Sequence, residues 1–166
     1  MTMRITERIE HAADPARVYA MLVDTDYQHE RCRRSGSTEH EVTLEETPQG
    51  LIVVTRRRMP TDDFPDTFKG FLGSSLDVVE TTQWGPADDD GTREAAYTLD
   101  VEGTPVDMVG GVHLSPGGAG TVHTVDGELK AHVPLLGSRV EEAVRPVITR
   151  ALALEHTLGR EWLAGS

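Results

Sequence analysis

The side chains that could do chemistry in this sequence are two histidines, a late carboxylate and a run of arginines. His113 and His123 fall on neighbouring stretches of alternating pattern, and either imidazole could move protons if buried within hydrogen-bond reach of Glu155 or Asp126. Neither histidine has a second histidine or a carboxylate two residues away, and no HExxH arrangement occurs, so no metal site is expected. Serines and histidines are present without a nucleophile-elbow motif, which leaves a hydrolase triad unsupported. No catalytic residue is assigned on these grounds.

Arg56, Arg57 and Arg58 pose a parity question. Ile52 and Val54 share parity with Arg56 and Arg58, whereas Leu51 and Val53 share it with Arg57 and Met59. If Arg57 points inward, its guanidinium fork could anchor the carboxylate or phosphate head of an amphiphile. The alternative is that all three, like Arg31, Arg33 and Arg34, are solvated and partly balance an acidic surface. Glu155 projects on a helical wheel between Val144 and Ile148, at the border of an apolar stripe. It either faces a cavity, or reaches solvent or a nearby arginine from the edge.

The element that carries Glu155 dominates the chain. The run from Pro134 to Leu163 predicts one long helix, with Ser138 as N-cap and Glu141 completing a capping box. Its apolar positions step through Val140, Val144, Val147, Ile148, Ala151, Leu154, Leu158 and Trp162, one buried face. Such a helix spans roughly 35 to 40 Å, the width of a small domain, and Pro146 predicts a bend within it.

Upstream, residues 3–10 predict a first strand, Asp14-Pro15 caps a short amphipathic helix carrying Val18, Tyr19, Leu22 and Val23, and Asp24 to Arg34 is either a second short helix or an irregular connector, its apolar pattern being weak. The period then changes to two. A hairpin pairs a strand around Val42 and Leu44 with Leu51 to Met59, and four strands follow: Leu76 to Trp84, Thr92 to Glu102, Val106 to Ser115 and Thr121 to Val133. Short turns make neighbours antiparallel. The expected inward sets are Val42 and Leu44; Leu76, Val78 and Trp84; Tyr97, Leu99 and Val101; Val106, Met108, Val112 and Leu114; and His123, Val125, Leu129 and Val133. Gly110, Gly111 and Gly127 are candidate bends or bulges. Between the two strand series Phe64, Phe68 and Phe71 recur at helical spacing, with Asp62 or Asp63 as cap and Pro65 in the first turn. They form either a lid over a cavity mouth or a plug at the open end of the sheet.

Composition narrows the partners. A chain of 166 residues is one domain by size, and its net charge of -12 argues against binding a phosphate backbone, so no nucleic acid is expected. Cys32 is the only cysteine, which rules out an intramolecular disulfide, a cysteine-based zinc site and a CxxC redox pair. No signal-peptide core and no run of about 18 apolar residues occurs. A soluble, unprocessed, cytoplasmic protein without membrane insertion is expected. No glycine pattern for nucleotide binding lies between a strand and a helix, so no cofactor is expected. The oligomeric state is left open.

The order strand, two short helices, six antiparallel strands and a long C-terminal helix resembles the helix-grip fold of the START-like, Bet v 1-like superfamily, which includes polyketide cyclases and lipid carriers. PLLGSRVEE, from Pro134 to Glu142, is similar to the strand-to-helix junction of an uncharacterised, mainly actinobacterial branch, and AADPARVYAML, from Ala12 to Leu22, to the entry of its first helix. The resemblance implies an α+β fold of about seven strands curled around the terminal helix, with a cavity for an apolar small molecule. Binding an apolar or amphiphilic ligand as a carrier or sensor is therefore expected. The lining expected is Arg57, Phe68, Phe71, Trp84, Tyr97, Leu99, Met108, His123, Val147, Ala151, Leu154 and Glu155. Two alternatives stand beside it: a cyclase-like enzyme moving protons with His123 or Glu155, and a ligand-free module that docks another protein.

Overall fold

The computed structural model describes residues 2–62 and 64–165, with the backbone alone at positions 67 and 71. The expected roles of Asp63 as a cap and of the Phe71 side chain lie outside the described residues. The elements run β1 (Met3–His11), α1 (Pro15–Leu22), α2 (Thr25–Arg34), β2 (Glu39–Glu46), β3 (Leu51–Pro60), α3 (Asp66–Leu72), β4 (Ser75–Trp84), β5 (Arg93–Glu102), β6 (Val106–Gly117), β7 (Gly120–Ala131) and α4 (Gly137–Ala164). This is the helix-grip, α+β architecture expected from the order of elements.

Two helix starts follow local chemistry. Asp14 accepts the Arg17 N–H at 2.9 Å with Pro15 as the first residue of α1, and Asp24 accepts the Tyr27 N–H at 3.0 Å at the start of α2. At the start of α3, Pro65 occupies the cap position and no described side chain caps it, so Asp62 is not the cap. The α4 start differs from expectation. Gly137 is already helical, Leu136 is the cap and no side chain bonds the first turn, so Ser138 and Glu141 form no capping box. Glu141 is instead 2% exposed and accepts the Ala131 N–H at 3.1 Å, which ties the end of β7 to the first turn of α4. A buried carboxylate gains more from an otherwise unpaired strand-end donor than from its own helix. The helix continues through Pro146 to Ala164. No helix among the described residues is long and apolar enough to cross a membrane.

The seven strands form one antiparallel sheet in the order β1-β7-β6-β5-β4-β3-β2. From β2 to β7 consecutive strands pair, β3 and β4 across the segment that holds α3 and the rest through shorter connections, and β1 closes on β7 from Met3 opposite Leu129 to His11 opposite Thr121. The register passes unbroken through Gly110 opposite Gly127 and Gly111 opposite Asp126. These glycines permit close approach rather than an inserted residue: a Cβ on Gly110 would lie 2.0 Å from the Asp126 carbonyl oxygen. Alternation places the expected inward sets on the core face, with Leu76, Trp84, Leu99, Met108, Leu114, His123 and Leu129 all buried. On β3 the parity question resolves: Val53, Thr55 and Arg57 are buried, while Arg56 and Arg58 point outward to Glu102, Asp77 and Glu39.

Helix α4 packs along β1 and β7 and against α1 and α2. Toward β3, β4 and β5 the curled sheet stands away from it, and that gap is the cavity described next.

Candidate functional site

The gap between sheet and helix is a cavity of about 400 Å³. Its walls are Leu76 and Val78 of β4, Leu99 and Val101 of β5, and Val144, Val147, Ile148, Ala151 and Leu154 of α4. Phe64, Phe68 and Leu72 cover it from the α3 side, each no more than 9% exposed. Exposed residues at its rim, Arg34 at the end of α2, Gly36 just beyond it and Arg150 on α4, mark where it meets the surface. Of the residues anticipated as lining, Arg57, Phe68, Tyr97, Leu99, Val147, Ala151, Leu154 and Glu155 lie here. Trp84 and His123 do not. They line a smaller pocket of about 50 Å³ beyond the inner end, shared with Tyr97 and Glu155. Met108 lines neither and is 1% exposed, because its side chain fills the space left by Gly127, where a Cβ would lie 2.6 Å from the Met108 Cε.

A charged cluster separates the two spaces. Arg31, which was grouped by sequence with solvated arginines, is buried. Its position on the inner face of α2 carries it under the sheet, where Nε donates to Gln28 Oε1 at 2.9 Å and Nη2 to Thr55 Oγ1 at 3.3 Å. Its Nη1 lies 3.5 Å from Glu80 Oε1 and 3.8 Å from Glu155 Oε1. Arg57 Nη2 donates to Glu80 Oε1, and the Tyr97 hydroxyl donates to Glu80 Oε2 at 2.8 Å. Burial alone would raise the Glu80 carboxyl, but Arg31, Arg57 and the Tyr97 hydroxyl outweigh it and hold it down at about 2. Glu155 goes the other way. Its burial and the nearby Glu80 charge raise its carboxyl above the ordinary range, against the pull of Arg31 and Arg57. Burial also raises the Tyr97 hydroxyl well above its usual value, so it stays a donor. Glu80 was missed by the sequence reading. The signal was its parity, between Val78 and Trp84 on a strand whose even positions face inward.

The histidines are arranged differently from the acid-base expectation. His123 is buried against His11, with His11 Nε2 3.1 Å from His123 Nδ1 and the rings stacked at a centroid distance of 5.4 Å. Burial, together with the neighbouring imidazole, pushes His123 down to about 3; burial, together with His156, pushes His11 down to about 4. The pair is neutral at neutral pH, and one ring donates its N–H to the other's lone pair. His113 is on the opposite face, half-exposed and 3.6 Å from Glu94, and Asp126 is held by Arg4 on the outside. Opposite parity on the strands keeps both away from the cavity. Among the described residues no cluster of three or more His, Cys, Asp or Glu side chains is placed to hold a metal ion.

Comparison with known proteins bears on the fold. A family profile described as "Protein of unknown function (DUF2505)" matches residues 6–163. No curated protein sequence matches the chain. Among solved structures, the Zhui aromatase/cyclase from a Streptomyces species superposes with a TM-score of 0.64 at 13% identity, covering 96% of this chain and 92% of that one. A Thermus thermophilus protein gives 0.60 at 17% identity, with 100% and 99% covered. Norcoclaurine synthase from Thalictrum flavum, in complex with dopamine and hydroxybenzaldehyde, gives 0.59 at 14% identity, with 99% and 88% covered. At these identities the likeness establishes a shared helix-grip fold.

Proposed function

Because the chain belongs to the family described as a protein of unknown function (DUF2505) and carries the helix-grip fold, we propose that it binds an apolar or amphiphilic small molecule between sheet and α4, as a carrier or sensor. The observation that carries this reading is the cavity itself. Protein interiors close-pack, and voids larger than a water are few, yet this chain keeps about 400 Å³ open behind a wall of aliphatic side chains. That volume lies within the roughly 300–1,000 Å³ of small-molecule sites, and its mix of aliphatic walls with a polar inner end suits a ligand with an apolar body and one polar group. The norcoclaurine synthase structure holds two small aromatic compounds on the same fold, which supports the reading without naming this protein's ligand.

The test is native mass spectrometry of purified protein together with titration of a fluorescent naphthalene sulfonate probe. Retained ligand or saturable probe binding is expected, and both should disappear in Ala151→Trp, which fills the cavity from α4. Absence of any binding by the folded wild-type protein would refute the proposal.

A second reading, a cyclase-like enzyme acting in the same cavity, draws on one observation. Glu155 faces the chamber beside Tyr97 with its carboxyl raised by burial, the condition a general acid needs. His123, in the smaller pocket and bonded to His11, has no such position. Once a substrate is in hand, Glu155→Gln should abolish turnover while leaving binding intact if this reading holds.

A further inference from the structure

The charged cluster at the inner end of the cavity is matched in charge when Glu155 is ionised but not in hydrogen bonds, and that mismatch specifies a ligand. Arg31 and Arg57 are both buried, at 7% and 5% exposure, and face the cavity. Glu80 answers one of the two charges and already accepts hydrogen bonds from Arg31, Arg57 and Tyr97. The second charge has only Glu155, whose contact with Arg31 at 3.8 Å is an ion pair and not a hydrogen bond. Arg57 retains a buried Nε–H with no acceptor. An unmade hydrogen bond on a buried cation is costly, and such a group normally has a partner. An orphaned donor on an arginine that lines an apolar chamber is a place prepared for an acceptor that arrives with the ligand.

We infer that the cavity takes an amphiphile with a singly charged carboxylate head, seated against Arg57 and Arg31, and that its entry is coupled to protonation of Glu155. The inference rests on the ligand-binding reading above and adds the head group and its proton linkage. Charge balance selects the class. With Glu155 ionised and the chamber empty, two arginines face two carboxylates. An incoming carboxylate would leave a surplus negative charge in a buried site, which is relieved when Glu155 takes up a proton. A dianionic phosphate would leave a surplus even then, and an amine would face two guanidiniums. Glu155 is suited to be the group that yields, since Glu80 is held ionised by three donors. The groups facing Glu155 are Tyr27 and Arg31 from α2, Arg57 from β3, Glu80 from β4 and Tyr97 from β5, with His123 across the smaller pocket from β7. Tyr27 and Tyr97 are raised and His123 is lowered, each by burial first.

Isothermal titration calorimetry with decanoate and with 1-decanol tests this. The titrations are run at about pH 8, above the ordinary carboxylate range, in two buffers of different ionisation enthalpy. Decanoate should bind about tenfold or more tightly than decanol, with net proton uptake on binding decanoate and none on binding decanol. Glu155→Gln, its fold checked by circular dichroism, should bind decanoate without proton uptake. Decanol binding as tightly as decanoate, wild-type uptake of no proton, or uptake that persists in Glu155→Gln would each overturn the inference while leaving the cavity reading intact. Binding of neither probe would overturn that reading, and this inference with it. The wild-type measurements decide the matter even if the variant fails to fold.

Discussion

Replacing Glu80 by glutamine should cost this protein more stability than any other isosteric change at the cavity. The amide keeps the shape of the side chain and can still accept from Tyr97, but it leaves Arg31 and Arg57 facing one another in a buried site. The size of the effect follows from the carboxyl's own titration. Its fall from the ordinary 4.5 to about 2 corresponds to about 3 kcal/mol, at about 1.4 kcal/mol for each tenfold change in proton affinity. Removing one partner of a buried ion pair costs about 3–5 kcal/mol in general, in agreement. For a chain of this size that is a drop in Tm of roughly 6–12 °C. The pH dependence gives a second check. A carboxyl whose folded value is depressed contributes stability that is fully present above its unfolded value and is lost as the pH falls toward the folded one. The gap between wild type and Glu80→Gln should therefore be constant near neutrality and close between pH 4.5 and about 2. Urea denaturation across that range measures both. A variant within about 0.5 kcal/mol of wild type at neutral pH, the usual span of an inconsequential surface change, would show that the two guanidiniums do not depend on Glu80.

Further outcomes follow from neighbouring contacts. Tyr97→Phe removes the 2.8 Å bond to Glu80 and should cost about 1.5–3 kcal/mol by chemical denaturation, the worth of a hydrogen bond to a charged group. Glu155→Gln should act in the opposite sense: a carboxyl raised by burial loses stability as the pH rises through its folded value, so the variant should gain on wild type in urea melts as the pH climbs above the ordinary carboxylate range. The His11–His123 pair, lowered to about 4 and about 3, stays neutral only in the fold. Stability should fall as the pH drops below the unfolded histidine value of 6.5 toward those values, and a pH series of thermal melts should show the loss beginning there, before carboxylates titrate. Gly110→Ala would push a Cβ to 2.0 Å from the Asp126 carbonyl oxygen, a backbone atom that cannot swing aside. A loss of about 2 kcal/mol or more is expected, read from the urea midpoint.

Much of the architecture was legible because it is written in local rules. Period-two alternation gives each strand's inner face wherever the register runs without a bulge, and Asp14 and Asp24 cap α1 and α2 through backbone donors only three residues away. The α3 segment was anticipated as a phenylalanine-bearing helix, and Phe64 and Phe68 do cover the cavity. Where local rules misled, a distant partner had outbid them. Ser138 and Glu141 have the spacing of a capping box, yet Glu141 is taken by the last N–H of β7. Met108 has the parity of a cavity residue, but the space left by Gly127, diagonal to it on β7, drew it into the packed floor.

By itself, the sequence determined the order of elements, which residues of the strands other than β3 face the core, the caps at Asp14 and Asp24, and an apolar stripe on α4 with Glu155 at its border. These depend on neighbours within a few residues. Only the tertiary structure decided that Arg31 is buried, that Arg57 and not its neighbours turns inward, that Glu80 binds them both, and that His123 pairs with His11 and not with Glu155. Arg31 and Glu80 are 49 residues apart and His11 and His123 are 112 apart. The energy of a buried charge is set by which opposite charge the curled sheet brings within a few ångströms, and no spacing along the chain encodes that distance.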